Sequence, residues 1–107
     1  MEIGLGLPNT VRDTQGDALL DWAIQGERAG FSTLAALDRL VYDSYECLTV
    51  LAAAAAVTER ARLMTSVMIN PARADMAVVA KQAATVDRLS GGRLSLGLAV
   101  GARPDDF

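Results

Sequence analysis

The sequence predicts an α/β fold in which short parallel strands alternate with helices. Three observations carry that reading. Four apolar segments begin at residues 3, 33, 63 and 94. The steps between those starts are 30, 30 and 31 residues, the length of one strand–helix–strand crossover. Each segment is apolar on both faces, which suits parallel strands covered on both sides.

The first strand is read at Ile3–Leu7, the second at Thr33–Leu37, the third at Leu63–Val67 and the fourth at Leu94–Leu98. A helix fills each interval. The first helix runs from about Asp17 to Arg28, with Leu20 and Ile24 at helical spacing and Leu19, Trp22 and Ala23 widening the apolar side. Gly30 follows it as a favourable C′ residue. The second helix is expected to start near Ser44 or Tyr45, capped by Asp43 or Ser44, and to continue through Leu48, Leu51, Ala52 and Ala55. Its alanine run permits close packing on a sheet. The third starts near Ala74 or Asp75, carries Met76, Val79, Ala80, Ala83, Val86 and Leu89, and stops at Ser90-Gly91-Gly92. Such an array fits a doubly wound open sheet or a barrel, and equal spacing without a reversal signal leans toward the barrel.

Composition narrows the function classes. The 107 residues are 51% hydrophobic with a formal net charge of −3 and no run of basic residues, a poor match to a nucleic-acid partner. The longest apolar stretch, Val50–Val57, is far short of the roughly 20 residues that span a bilayer. No signal peptide is read at the N-terminus, and the single cysteine, Cys47, has no internal disulfide partner, so a cytoplasmic setting is expected. Histidine is absent, which removes the commonest general base and metal ligand; no metal site is predicted.

Gly4 and Gly6 are spaced like the start of a dinucleotide fingerprint. Position 9 is Asn rather than Gly and the helix begins well downstream, so these glycines are read as strand packing residues. The polar residues at the strand ends are more informative. Asn9, Asp38-Arg39, Asn70 and Arg103 each follow a strand, and in barrels the chemistry sits at the C-terminal strand ends. These four ends are expected to converge on one face. Turn and cap chemistry is the competing explanation for each residue taken singly. Ser66, inside the third strand, is either a buried hydroxyl bonded to backbone or part of a bulge.

Several segments resemble the luciferase-like monooxygenase family. They are IGLGLPN at 3–9, AGFSTL at 29–34, LDRL at 37–40, AVVAKQAATVDRLSGGRL at 77–94 and LGLAVGARPDDF at 96–107. The resemblance spans essentially the whole chain. It implies a (β/α)8 TIM barrel, here its first four strands and three helices, so residues 1–107 are expected to be a half barrel from a longer domain of about 250 residues. It also implies a flavin-dependent oxidoreductase or monooxygenase that uses reduced FMN or a deazaflavin (coenzyme F-420) on a small organic substrate. In many members a bulge with a cis non-proline peptide in the third strand supports the flavin ring, and Ser66-Val67 match that position. Asp38 matches an acidic residue close to the cofactor. The expected cofactor-binding residues are Asp38, Arg39, Ser66, Val67 and Asn70.

Two positions depart from the family pattern. Arg39 stands where many deazaflavin-dependent members carry His, and Ala102 where some carry a Glu acid. No catalytic base is therefore assigned. Barrels commonly hold phosphate with the loops after strands seven and eight, so the 107 residues alone are expected to bind flavin phosphate poorly and to be inactive. The open edges of the first and fourth strands are expected to favour self-association. A non-catalytic half barrel and a doubly wound nucleotide- or phosphate-binding module are the alternatives.

Overall fold

The computed structural model describes residues 1–106; the side chain of Asn70 lies outside that description. In chain order the elements are β1 (Gly4–Gly6), α1 (Gly16–Arg28), β2 (Thr33–Ala36), α2 (Cys47–Val57), β3 (Arg62–Ile69), α3 (Met76–Leu89) and β4 (Leu94–Ala99). Short 3₁₀ turns occupy Asn70–Ala72 and Pro104–Asp106. The strands form one parallel sheet in the order β1-β2-β3-β4, with Gly4 opposite Thr33, Leu34 opposite Leu63 and Leu63 opposite Leu94. A doubly wound sheet requires the order to reverse, so that alternative is set aside for the described strands.

Right-handed crossovers in an unreversed order place every helix on one face of the sheet. Leu34, Ala36 and Leu63 point to that face and form the core with Leu19, Ala23, Leu48, Leu51, Ala54 and Val86. α2 lies between α1 and α3, which explains why its apolar residues run around most of its circumference. Gly26 permits close approach of α1 to the sheet: a Cβ there would lie 2.7 Å from Leu5 Cδ2. On the opposite face, Gly4, Gly6, Thr33, Ala35, Met64 and Ser66 line a hollow of about 980 Å³.

The helix ends show how local signals were used. Gly30 (φ 96°) closes α1, with the Phe31 N–H donating to the Gly26 carbonyl. Asp75 caps α3 by accepting from the amides of Ala77 and Val78. The start of α2 corrects the sequence reading. Ser44 Oγ donates instead to the Arg39 carbonyl at 2.9 Å, and the Tyr45 N–H donates to the Asn9 carbonyl, so residues 44 and 45 belong to the loop. Glu46 is the cap, accepting from the amides of Leu48 (3.0 Å) and Thr49 (2.9 Å).

At the N-terminal end of the sheet two side chains fasten loops to the core. The Glu27 carboxylate accepts from the amides of Glu59, Arg60 and Ala61. The Arg93 guanidinium donates to the carbonyl of Ala55 in the last turn of α2 and to those of Thr58 and Ala61 beyond it. The opposite end of the sheet is thereby left to carry the irregular loops. No helix among the described residues is long and apolar enough to cross a membrane.

Candidate functional site at the C-terminal strand ends

The site is organised by an irregularity in β3. Thr65 pairs with Leu96 and Met68 with Leu98, so Ser66 and Val67 together oppose Gly97 alone. This is a β-bulge, two residues against one. The Ser66–Val67 peptide is cis, in accordance with the family resemblance. Thr65 Oγ1 replaces the interrupted ladder: it accepts from Gly97 N at 2.8 Å and donates to Gly97 O at 2.9 Å. Gly97 has to be glycine here, because a Cβ would fall 2.4 Å from the Thr65 carbonyl oxygen and 3.1 Å from Val67 Cγ1.

The bulge opens onto a cavity of about 370 Å³ at the strand ends. Leu37, Val67, Ile69 and Val100 give it apolar walls, and Asp38, Ser66, Arg103 and Asp106 supply polar groups. Val67 is 43% exposed, so the bulge presents an apolar side chain to the space. Three of the predicted site residues, Asp38, Ser66 and Val67, are thus brought together on this cavity. Arg39 does not line it but lies 3.7 Å from the carboxylate of the lining residue Asp106 and 5.7 Å over the Tyr42 ring. The predicted side chain of Asn70 lies outside the described residues.

Asp38 is not a free carboxylate. Its side chain has no exposed surface. Oδ2 accepts from the Ile69 N–H at 2.7 Å and from Arg73 Nη1 at 2.6 Å, and Oδ1 accepts from Arg73 Nη2 at 3.2 Å. Arg73 also donates to the Ile69 carbonyl (3.2 Å) and to Glu46 Oε2 (2.8 Å). Burial alone would favour a neutral Arg73, but the two carboxylates outweigh it and hold the guanidinium more firmly protonated than usual. Burial likewise opposes ionisation of Glu46, yet the amides of Leu48 and Thr49, the Thr49 hydroxyl and Arg73 lower its pKa to about 2. Beside them the Cys47 thiol is pushed up to about 12 by burial, then by the charges of Asp38 and Glu46. Donor atoms of Asp38, Glu46 and Cys47 lie within 4.8 Å of one another, a spacing compatible with a metal. The cation among them is Arg73.

The loop after β4 is organised around another carboxylate. Asp106 Oδ2 accepts from the amides of Ala102 and Arg103, each at 2.8 Å, and these bonds hold its pKa below the usual range. The Tyr42 hydroxyl donates to Asp105 and links the loop after β2 to the loop after β4. That bond raises the phenol's pKa.

Asn9 corrects the expectation that all four strand ends face the mouth. It is fully buried, donating to the carbonyls of Leu37 (2.8 Å) and Tyr45 (3.1 Å) and accepting from the Leu37 N–H (3.2 Å). It ties the ends of β1 and β2 to the loop before α2. Arg73, Glu46 and Asp106 were missed by sequence reasoning, because none follows a strand directly.

A family model for luciferase-like monooxygenases matches residues 1–107. The structure is similar to the coenzyme F-420-dependent tetrahydromethanopterin reductase of Methanopyrus kandleri, with 25% identity, a TM-score of 0.77, and 98% of this chain and 28% of that one covered. It is also similar to the monooxygenase RslO1 of Streptomyces bottropensis, with 28% identity, a TM-score of 0.81, and coverages of 100% and 35%. The fold recurs in the oxygenating constituent of 3,6-diketocamphane monooxygenase from Pseudomonas putida, in complex with FMN, at 22% identity and a TM-score of 0.82, covering 97% of this chain and 30% of that one. The chain therefore spans about a third or less of the length of these proteins.

Proposed function

Because the chain belongs to the luciferase-like monooxygenase family, we propose that its strand-end cavity is the flavin side of an oxidoreductase site, one that takes FMN or a deazaflavin (coenzyme F-420) and acts on a small organic substrate. The observation that carries this reading is the Ser66–Val67 bulge, which faces the cavity with an exposed Val67 and is fixed on its N-terminal side by the Thr65–Gly97 bonds. A planar, largely apolar ring fits against such a surface, and the side chains of Leu37 and Val100 extend it.

When bound, the flavin supplies the redox chemistry. The residues of this chain orient and exclude water. Val67, Leu37 and Val100 offer apolar contact. Arg39 and Arg103, at 25% and 59% side-chain exposure, place positive charge at the rim, where it favours negative charge on a reduced ring. Asp38 has both oxygens engaged, and its role is to hold the end of β3.

Titration of the purified chain with FMN and with the deazaflavin, followed by quenching of ligand fluorescence, tests the reading. Weak, saturable quenching is expected, and Val67→Asp abolishes it by placing a charge against the ring. Absence of quenching with both ligands, or quenching that ignores Val67→Asp, overturns it. The same preparation is expected to show no turnover with reduced FMN and oxygen. Three further groups belong to this proposal for the whole protein: a phosphate-holding segment on other strands, the substrate pocket, and a partner for the open edges of β1 and β4.

A further inference from the structure

Four structural elements near the cavity meet at one side chain. Arg73 follows the 3₁₀ turn Asn70–Ala72 and folds back onto the end of β3. Its guanidinium reaches the end of β2 through Asp38, the N-terminus of α2 through Glu46, and β3 itself through the Ile69 carbonyl. Asp38 in turn receives the Ile69 N–H. Both polar backbone groups of Ile69 are therefore held by one ion pair, two residues beyond Val67.

Two sets of side-chain bonds flank the bulge among the described residues. On its N-terminal side Thr65 is bonded to Gly97 through its hydroxyl. On its C-terminal side the strand resumes at Met68 and Ile69, and there the Arg73–Asp38 pair takes up the groups of Ile69. The arginine side chain is 12% exposed and Asp38 has no exposed side-chain surface, so neither is a solvated surface charge. A forked, planar guanidinium can bridge two carboxylates and a carbonyl at once; an ammonium cannot match that geometry.

We infer that Arg73 is a positioning residue of the flavin shelf: acting through Asp38 and Ile69, it fixes where the Ser66–Val67 segment stands at the cavity. The flavin part of this inference rests on the proposed function; the positioning part does not. Arg73 does not line the cavity; Asp38 and Ile69, through which it acts, do.

Two variants separate positioning from general stability. Arg73→Met with Asp38→Asn removes the buried pair together, leaving only the more exposed Glu46 without its guanidinium partner. Arg73→Lys keeps the charge but loses the fork. Amide NMR spectra of the ligand-free proteins are recorded first, followed by titration with FMN. The expected result is that the Ser66, Val67 and Ile69 amides shift in both variants while those of α1 stay in place, and that FMN affinity falls about tenfold or more in the double variant and less in Arg73→Lys. A purely structural role would lower the melting temperature and leave the bulge amides unmoved. If either folded variant keeps its Ser66 and Val67 amides at the parent positions, the positioning role is refuted. If the bulge amides shift but FMN affinity is unchanged, the link to the shelf is refuted. If FMN perturbs no amide of the parent protein, the flavin reading fails, and the ligand-free spectra still decide the positioning role.

Discussion

Gly97 offers a sharp test of the bulge. Gly97→Ala adds one methyl group 2.4 Å from the Thr65 carbonyl oxygen and 3.1 Å from Val67 Cγ1. The first contact is with backbone, so no side-chain rotation relieves it. Either the Thr65 carbonyl moves by most of an ångström or β4 retreats from β3. Both movements strain the two hydrogen bonds between Thr65 Oγ1 and Gly97. Overpacking costs typically 1–3 kcal/mol and each weakened hydrogen bond about 1, so a loss of roughly 2–4 kcal/mol is expected. For a chain of this size that corresponds to a fall in melting temperature of roughly 10–25 °C. Gly6→Ala is the matched control. It makes the same chemical change in a strand of the same sheet, but nothing lies within 4 Å of the added Cβ. It is expected to be neutral or stabilising by up to about 1 kcal/mol, through the unfolded chain. Urea unfolding of the two variants measures the difference. A Gly97→Ala protein within about 1 kcal/mol of the parent would refute the packing argument.

Other perturbations probe the clamps. Asn9→Ala strips partners from Leu37 and Tyr45 and is expected to destabilise by about 2–4 kcal/mol; a urea midpoint equal to the parent's would show that water replaces those bonds. Glu46 is held at about 2 against an ordinary 4.5, so the unfolded chain binds the extra proton between those values. Its contribution to stability is complete above the ordinary value and is lost as pH falls toward about 2, and Glu46→Gln is expected to flatten the acid limb of a stability–pH profile. An unchanged acid limb would contradict this. Cys47, buried and pushed up to about 12, is expected to resist alkylation at neutral pH until the chain unfolds. Rapid stoichiometric labelling of the native protein would count against that burial.

The elements were legible because the regular step and the apolar runs are local signals. Gly30 and Gly91-Gly92 also worked locally, stopping α1 and α3 by positive φ. α2 was misjudged for a physical reason. Asp43 and Ser44 are strong cap types, whereas Glu46 is an uncommon one, and only the fold shows that Ser44 is engaged with Arg39. Asn9 read as a mouth residue because it follows a strand, but its partners lie 28 and 36 residues away, so its burial follows from tertiary structure. Arg73 left no sequence signal: a lone arginine after a proline turn resembles a surface charge. Its partners Asp38 and Glu46 are 35 and 27 residues distant. The bulge came from the family motif, since Thr65-Ser66-Val67 by itself reads as ordinary strand.

The engagement of these carboxylates bears on mechanism. Around the cavity, Asp38 is bound by Arg73 and Ile69, Glu46 by Arg73 and its own helix amides, and Asp106 by two loop amides with arginines beside it. For Glu46 and Asp106 these donors hold the carboxyl below its usual range and favour the ionised form. The chain has no histidine, and the two carboxylates that line the cavity, Asp38 and Asp106, are both engaged by hydrogen-bond donors. What the strand ends present to a ligand is a backbone bulge, the apolar Val67 and a rim of guanidinium groups. Such a surface offers apolar contact and positive charge, with its carboxylates already engaged.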